Sequence, residues 1–234
     1  MAKTPLVLLP GMDGTGILFE PLLQALPSNI RPIVVSYPPG TPMTYEQLLP
    51  IVSEALPKHD PFVLLGESFS GPLAIMAASA NPSNLKALIL CATFTGNPLP
   101  WLPGWIRYLA VTPFFYLSRP FILAKALLSG YSSPRIMSLL RKAHAQVSPK
   151  VMAARARAIL GVDVESALKA VKVPIFFLGG ADDKVSPARN LHDIVRVRPD
   201  VQVSLVPGPH LILQIKPEES AVLISNIMKK ADAV

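Results

Sequence analysis

The chain has 234 residues, of which 50% are hydrophobic and 16% are charged, and its formal net charge at pH 7 is +7. This composition excludes a disordered polyelectrolyte and suffices for one globular domain with a buried core, or for such a domain with a small insert. The single cysteine excludes an internal disulfide, and no apolar run is long enough to span a bilayer. Because the apolar run over residues 6–9 is too short for a signal peptide core, we expect a cytoplasmic protein.

Short apolar runs alternate with helical patterns along the chain, which is typical of a parallel sheet covered by helices on both faces. The spacing predicts strands over residues 6–9, 33–37, 62–65, 85–92, 173–180 and 201–206. Helices are predicted over residues 18–26, 45–56, 72–80, 188–197 and 218–230. The alternation is interrupted between the fourth and fifth strands. We therefore expect an α/β core of six parallel strands formed by residues 1–95 and 167–234, with a helical cap inserted over residues 96–166.

The third predicted strand leads into a turn that presents a serine. The sequence Gly-Glu-Ser-Phe-Ser-Gly at residues 66–71 follows the apolar run and opens an alanine-rich helical segment. A tight turn from strand to helix, flanked by small residues, projects its central side chain away from the sheet. Ser68 is therefore the candidate nucleophile. The same residues could instead form an ordinary turn, because Ser70 stands where the usual Gly-x-Ser-x-Gly pattern has its second glycine.

A serine hydroxyl is a weak nucleophile at neutral pH, so it needs a base to accept its proton and a third group to orient that base. Of the four histidines, only His210 follows a predicted strand in a loop rich in glycine and proline. His210 is therefore the candidate base. We expect His59, His144 and His192 to lie on solvated helical or linker surface.

The candidate acid lies after the strand that precedes the histidine. Two aspartates, Asp182 and Asp183, are adjacent there, and their side chains must point in different directions. The spacing from Gly180 and the Val-Ser-Pro sequence that follows favour Asp183, and Asp182 is the alternative. Both could also serve only in a turn and in capping the next helix.

An acyl-transfer site also needs hydrogen-bond donors for the oxyanion, and backbone N–H groups usually supply them. One donor is predicted at Phe69, directly after the candidate nucleophile, and the other at Met12 in the glycine-rich loop after the first strand. That loop lacks the pattern of a dinucleotide site, because no acidic residue closes the second strand.

These features resemble the α/β-hydrolase family over residues 5–95 and 173–214. The motifs that carry the resemblance are Pro10-Gly11-Met12, residues 66–71, Gly180-Ala181-Asp182-Asp183 and His210. The resemblance implies the α/β-hydrolase fold, a triad of Ser68, Asp183 and His210, and a reaction that uses no metal or organic cofactor. The sequence departs from the family pattern at Pro10, where histidine is common, and at Ser70, where glycine is common.

The predicted cap is basic and aromatic. Residues 96–160 contain nine of the 22 basic residues and none of the 15 acidic ones, so the remainder of the chain has 13 basic and 15 acidic residues. In the family that the chain resembles, such an insert looks like a cap over the active site, with aromatic side chains lining an acyl pocket and cations facing outwards. The predicted pocket residues are Trp101, Trp105, Phe114 and Phe115.

The cations of the insert suggest a partner with negative charge. We expect them to dock onto an anionic membrane surface, with peripheral association, or onto an acidic acyl carrier protein. Nucleic acid is not expected, because no recognition motif is present. The predicted docking residues are Arg135, Arg141, Lys142, Arg155 and Arg157.

The function that we expect is hydrolysis of carboxylic esters with an apolar acyl portion, through an acyl-enzyme. The alternatives are a thioesterase acting on acyl carrier protein or CoA, a methyl ester esterase, a lipid acyltransferase, and a binding protein without catalytic activity on the same fold.

Overall fold

The structure is a computed structural model that describes residues 4–98 and 127–232. Six parallel strands form one sheet in the order β2-β1-β3-β4-β5-β6, as the sequence predicts. The direction in which strands are added to the sheet reverses after β2, because β3 pairs with the opposite edge of β1. This reversal places helices on both faces of the sheet. The strands are β1 (Thr4–Leu9), β2 (Ile30–Val34), β3 (Phe62–Glu67), β4 (Leu85–Cys91), β5 (Ile175–Gly180) and β6 (Gln202–Val206).

The helices confirm most of the pattern read from the sequence. A 3₁₀ turn over Ile17–Phe19 precedes α1, so the first predicted helix is divided in two. The α-helices in the described residues are α1 (Glu20–Ala25), α2 (Tyr45–Ala55), α3 (Ser70–Ser79), α4 (Pro134–Gln146), α5 (Pro149–Gly161), α6 (Glu165–Ala170), α7 (Ala188–Val197), α8 (Ile212–Ile215) and α9 (Pro217–Asp232). Within these residues, no helix is both long and apolar enough to cross a membrane.

The four central strands, β1, β3, β4 and β5, are buried because helices cover both faces of the sheet, towards which their side chains point alternately. In β1, Val7 and Leu9 pack on the face covered by α2, α3, α6 and α7, whereas Leu6 and Leu8 pack on the face covered by α1, α8 and α9. All four side chains are fully buried. Strands buried on both faces explain why their sequences are continuous apolar runs.

The second strand lies three residues earlier than the sequence predicts. Its pairing with β1 runs from Thr4 opposite Ile30 to Leu8 opposite Val34, which includes Pro32. Proline is tolerated because β2 is an edge strand. Val35 and Tyr37, which the prediction placed in the strand, lie beyond its end but are buried in the core, and this burial accounts for the misleading apolar pattern.

The segment between β4 and β5 includes α4 and α5, in agreement with a helical insert. Residues 99–126 of this segment lie outside the described part of the chain, and with them lie the predicted pocket residues Trp101, Trp105, Phe114 and Phe115. The division into a core of residues 1–95 and 167–234 and a cap of residues 96–166 stays a prediction.

The close approach of β3 and α3 requires glycine at position 66. A Cβ added at Gly66 would lie 2.6 Å from the Cβ of Ala74 and 2.6 Å from the carbonyl oxygen of Ser70. These distances are shorter than van der Waals contact, and both contacted groups belong to the helix that packs on the strand. We therefore expect Gly66→Ala to lower the free energy of unfolding by about 1–3 kcal/mol, as overpacking of a core usually does. Urea denaturation monitored by circular dichroism measures this change.

Gly161, the last residue of α5, provides the matched control because a Cβ added there meets no atom within 4 Å. Gly161→Ala should be neutral or should stabilise the protein by up to about 1 kcal/mol. Equal stability of the two alanine variants would contradict the tight packing at Gly66.

Candidate active site

The residues singled out from the sequence lie at one edge of the sheet. Met12 follows β1, Ser68 follows β3, Asp183 follows β5 and His210 follows β6. Because all the strands are parallel, their carboxyl ends meet at the same edge, which is where open α/β sheets bind ligands. The chain thus brings residues from four separate loops into one site.

Ser68 occupies a left-handed backbone conformation, with φ of 50°. Its N–H donates to the carbonyl oxygen of Cys91 at 2.8 Å, and its own carbonyl accepts from the hydroxyl of Thr93 at 2.6 Å. Cys91 is the last residue of the neighbouring strand β4, and Thr93 follows two residues later. These two hydrogen bonds hold the serine in a conformation that non-glycine residues rarely adopt.

Ser68, His210 and Asp183 form a continuous chain of hydrogen bonds. His210 Nε2 lies 2.9 Å from Ser68 Oγ, and His210 Nδ1 lies 2.8 Å from Asp183 Oδ2. The side chains of His210 and Asp183 are only 3% and 6% exposed. Both distances are within hydrogen-bond reach, so the arrangement can move a proton from the serine hydroxyl to the imidazole.

Asp183 and Asp182 point in different directions, as the sequence requires. The second carboxylate oxygen of Asp183 accepts from the N–H groups of Val185 and Ser186, each at 2.8 Å. The carboxylate of Asp182 instead accepts from the hydroxyl of Tyr131 at 2.9 Å and is exposed. Asp183 is therefore the aspartate that contacts the histidine.

The loop after β1 is a tight turn closed by a hydrogen bond from the Gly14 N–H to the Gly11 carbonyl at 3.0 Å. The N–H of Met12 belongs to the same peptide group as that carbonyl, and in a trans peptide the two bonds point in opposite directions. The N–H of Met12 therefore points out of the turn. The arrangement is suited to a donor for an oxyanion, together with the N–H of Phe69.

The two departures from the family pattern contact each other. The hydroxyl of Ser70 donates to the carbonyl oxygen of Pro10. Because this hydroxyl has a single proton, the hydroxyl of Tyr37, 2.7 Å away, must donate to Ser70. Burial raises the pKa of Tyr37 and keeps its phenol protonated. A serine at position 70 thus ties the start of α3 to the loop after β1, a contact that the sequence pattern did not predict.

A cavity of about 340 Å³ opens beside Ser68 and His210. Most of its wall is apolar, and α4 and α5 supply much of it. The apolar lining residues among those described are Met12, Leu18, Phe94, Pro98, Leu127, Leu140, Ala143, Met152, Ala156, Ile159, Leu160, Val185 and Leu211. A larger groove of about 780 Å³ lies between α2, α5 and α6, but its lining does not include Ser68, His210 or Asp183.

The prediction for His144 was wrong in one respect. Its side chain is half-buried and lines the cavity beside Ser68, whereas His59 and His192 are exposed as expected. His144 lies four residues after Leu140 on α4 and one after the buried Ala143, so it shares the apolar face of the helix. Helical spacing within the insert was the signal that could have located it.

Comparison with families of known proteins matches residues 6–221 to the Alpha/beta hydrolase family. The chain belongs to this family. The resemblance stated from the motifs is therefore confirmed, and so is the fold. Among curated proteins, Phytyl ester synthase 1, chloroplastic, of Arabidopsis thaliana is 35% identical over 108 residues, which cover 42% of this chain and 15% of that protein. The match thus spans a small part of that relative.

Solved structures of other proteins share the fold of this alpha/beta hydrolase. An esterase from Thermogutta terrifontis superimposes with a TM-score of 0.83 and 21% identity, over 98% of this chain and 91% of that chain. MenH from S. aureus gives a TM-score of 0.81 and 18% identity, over 99% and 96% of the two chains. A bromoperoxidase from Bacillus anthracis gives a TM-score of 0.84 and 17% identity, over 97% of this chain and 92% of that chain. At these identities the likeness is one of fold.

Two carboxyl groups line the cavity of this alpha/beta hydrolase beside the serine. Burial raises the pKa of Glu67 from 4.5 to about 7, against the opposing effect of a hydrogen bond from Gln214 Nε2 at 2.9 Å. Burial also raises the pKa of Asp13, whose carboxylate accepts from the N–H and hydroxyl of Thr15 at 2.9 and 2.5 Å. Within the described residues, no group of three His, Cys, Asp or Glu side chains could hold a metal ion.

The five cations predicted to dock a partner do not share one environment. Arg135, Arg141, Lys142 and Arg157 are exposed, and Arg135 pairs with Glu20 at 3.0 Å. Arg155 is different, because its side chain is only 2% exposed. The prediction was wrong for Arg155, since α5 turns this residue towards the carbonyl groups of the loop after β1.

The pKa of Glu67 predicts a pH dependence of stability. Because the pKa of Glu67 is about 7 in the folded protein and 4.5 ordinarily, the folded protein binds the proton more tightly, and stability is lost as pH rises from about 4.5 to about 7. Glu67→Gln removes this titration, so the free energy of unfolding of wild type should decrease relative to that of the variant as pH rises from 5 to 8. The relative change should be up to about 3 kcal/mol, at about 1.4 kcal/mol per pKa unit.

Urea denaturation of both proteins across this pH range measures the difference. Glu54→Gln, at an exposed position on α2, is the control and should give a profile parallel to that of wild type. A Glu67→Gln profile that is also parallel to wild type would contradict the raised pKa.

Proposed function

We propose that this alpha/beta hydrolase is a serine hydrolase that cleaves carboxylic esters with an apolar acyl portion. The observation that supports the proposal best is the hydrogen-bonded chain from Ser68 Oγ through His210 to Asp183 beside an apolar cavity. A structural role alone would not require a serine with left-handed backbone to face a buried histidine at 2.9 Å.

In the first half of the reaction, Ser68 Oγ attacks the ester carbonyl carbon while His210 Nε2 accepts the hydroxyl proton. Asp183 accepts from Nδ1–H of His210, which fixes the tautomer of the ring and stabilises the imidazolium. The N–H groups of Met12 and Phe69 hold the oxyanion of the tetrahedral intermediate. His210 then donates its proton to the alcohol oxygen as the ester C–O bond breaks, which leaves an acyl group on Ser68.

The second half repeats these steps with water in place of the serine hydroxyl. His210 accepts a proton from water as its oxygen attacks the acyl carbon, and a second tetrahedral intermediate forms. The bond to Ser68 Oγ breaks and His210 returns the proton to that oxygen. The products are the carboxylic acid and the free enzyme, and no other reactant is needed.

The apolar cavity wall supports an apolar acyl portion, because burial of methylene groups there contributes about 0.8 kcal/mol each. The relative named as a phytyl ester synthase supports a second candidate, in which the acyl-enzyme passes its acyl group to an apolar alcohol. Incubation with an acyl ester in the presence and absence of a long-chain alcohol, with analysis of the products, separates the two. A new ester would indicate transfer and a free acid would indicate hydrolysis.

Docking of the insert onto an anionic membrane surface or an acidic acyl carrier protein stays a prediction. It now rests on four exposed cations, which are Arg135, Arg141, Lys142 and Arg157.

A fluorophosphonate probe should label Ser68, and Ser68→Ala should abolish the labelling. Turnover of a short-chain ester by Ser68→Ala should fall by at least about a thousandfold, because the nucleophile is lost while binding remains. Mass spectrometry locates the label and steady-state kinetics measures turnover. Ser53→Ala, at an exposed position on α2, is the control. Labelling at another residue, or full turnover by Ser68→Ala, would exclude the proposed nucleophile.

The adjacent aspartates should respond differently to the same substitution. Asp183→Asn removes the acceptor for His210 Nδ1, so turnover should fall by roughly a thousandfold or more. Asp182→Asn removes only the exposed contact with Tyr131 and should change turnover less than about threefold. The comparison uses the same ester assay for both variants. The opposite order of losses would assign the acid to Asp182.

A further inference from the structure

Arg155 extends from α5 of the insert to the loop after β1. Its Nη1 donates to the carbonyl oxygens of Met12 at 2.9 Å and of Asp13 at 2.7 Å. Its Nη2 lies 3.4 Å from the carbonyl oxygen of Pro38. A guanidinium has several N–H groups in a rigid plane, so one side chain can hold adjacent carbonyls in a fixed relation, whereas an ammonium cannot reproduce that geometry.

The same guanidinium contacts the aromatic rings behind the serine turn. Its central carbon lies 5.6 Å from the ring centre of Tyr37 and 5.9 Å from that of Phe69, distances suited to a cation–π interaction. Phe69 is further held by stacking on Tyr45, whose hydroxyl donates to the Phe69 carbonyl at 2.8 Å. Arg155 therefore contacts both residues whose N–H groups are the proposed oxyanion donors.

The contact with the loop bears directly on the direction of the Met12 N–H. That direction depends on the turn closed between Gly11 and Gly14, and Gly14 has φ of 68°. A Cβ at Gly14 would lie 2.5 Å from Arg155 Nη1, so the turn is packed directly against the guanidinium. Loss of the guanidinium would leave two loop carbonyls without their donor and the turn without its support.

We propose that Arg155 is a positioning residue that holds the N–H groups of Met12 and Phe69 in place for the oxyanion. The proposal rests on the proposed hydrolase function. Because Arg155 belongs to α5, whose residues Met152 and Ala156 also line the cavity, the insert both forms the substrate pocket and sets the geometry of the reacting centre.

The test compares Arg155→Met, which keeps much of the length but cannot donate, with wild type on a short-chain ester. We expect kcat to fall about 100-fold and KM to change less than about threefold, because misplaced oxyanion donors weaken transition-state binding more than substrate binding. An alkylboronic acid that forms a tetrahedral adduct on Ser68 should bind more weakly by a similar factor. Arg155→Lys, which keeps the charge, should recover part of the loss in kcat.

Lys150→Met is the control, because Lys150 lies on the same helix but is exposed. Its kcat, KM and boronate affinity should stay within about twofold of wild type. If Arg155→Met does not fold, as shown by circular dichroism, Arg155→Lys is tested alone, and a decrease in its kcat of about tenfold at unchanged KM is expected.

Two results would overturn the proposal. One is a folded Arg155→Met with kcat and boronate affinity equal to those of wild type. Where Arg155→Met does not fold, the same result for a folded Arg155→Lys overturns the proposal. The other is a loss of kcat only in parallel with loss of thermal stability and with boronate affinity unchanged, which would indicate a structural role. A wild-type protein that neither cleaves esters nor binds the fluorophosphonate would instead contradict the proposed function, so the two failures are distinguishable.

Discussion

The left-handed turn at Ser68 is the constraint on which the rest of the site depends. A non-glycine residue in this conformation costs about 1–2 kcal/mol, so neighbouring groups must hold it there. The carbonyl of Cys91, the last residue of β4, and the hydroxyl of Thr93, two residues further on, do so. The carbonyl of Thr93 in turn accepts from the hydroxyl of Ser186, which lies in the loop that carries Asp183. The serine turn and the acid loop are therefore held by one residue just after β4.

Charge balance is the second constraint, because a tetrahedral intermediate would carry negative charge close to two carboxyl groups. A charged Glu67 beside that oxyanion would oppose it, and burial raises the pKa of Glu67 to about 7, which favours the neutral form. A Cβ added at Gly11 would lie 3.9 Å from Glu67 Oε2, so Glu67 packs against the loop that offers the Met12 N–H. The guanidinium of Arg155 supplies compensating positive charge next to Asp13. The raised pKa of Glu67 and the positive charge of Arg155 thus reduce the electrostatic repulsion between the oxyanion and the two carboxyl groups.

Much of the fold and part of the site follow from the sequence, because they depend on local pattern. Apolar runs of strand length separated by helical spacing require a parallel sheet, and a small-residue turn after such a run presents a serine. The chain order of strand ends then places Ser68 and His210 at one edge. The position of β2 could not be predicted in the same way, because Tyr37 is buried in the core without belonging to a strand.

The tertiary structure alone decided which polar side chains meet. By itself, the sequence determined a class of fold, a serine and a histidine at strand ends, and two adjacent aspartates with a preference between them. Only packing separated Asp183, held against His210, from Asp182, bound by Tyr131. Only packing turned Arg155 inwards, to a carbonyl 143 residues away in the chain. The physical reason is that the cost of burying a charge depends on the partners that the fold brings to it, and those partners are distant in sequence.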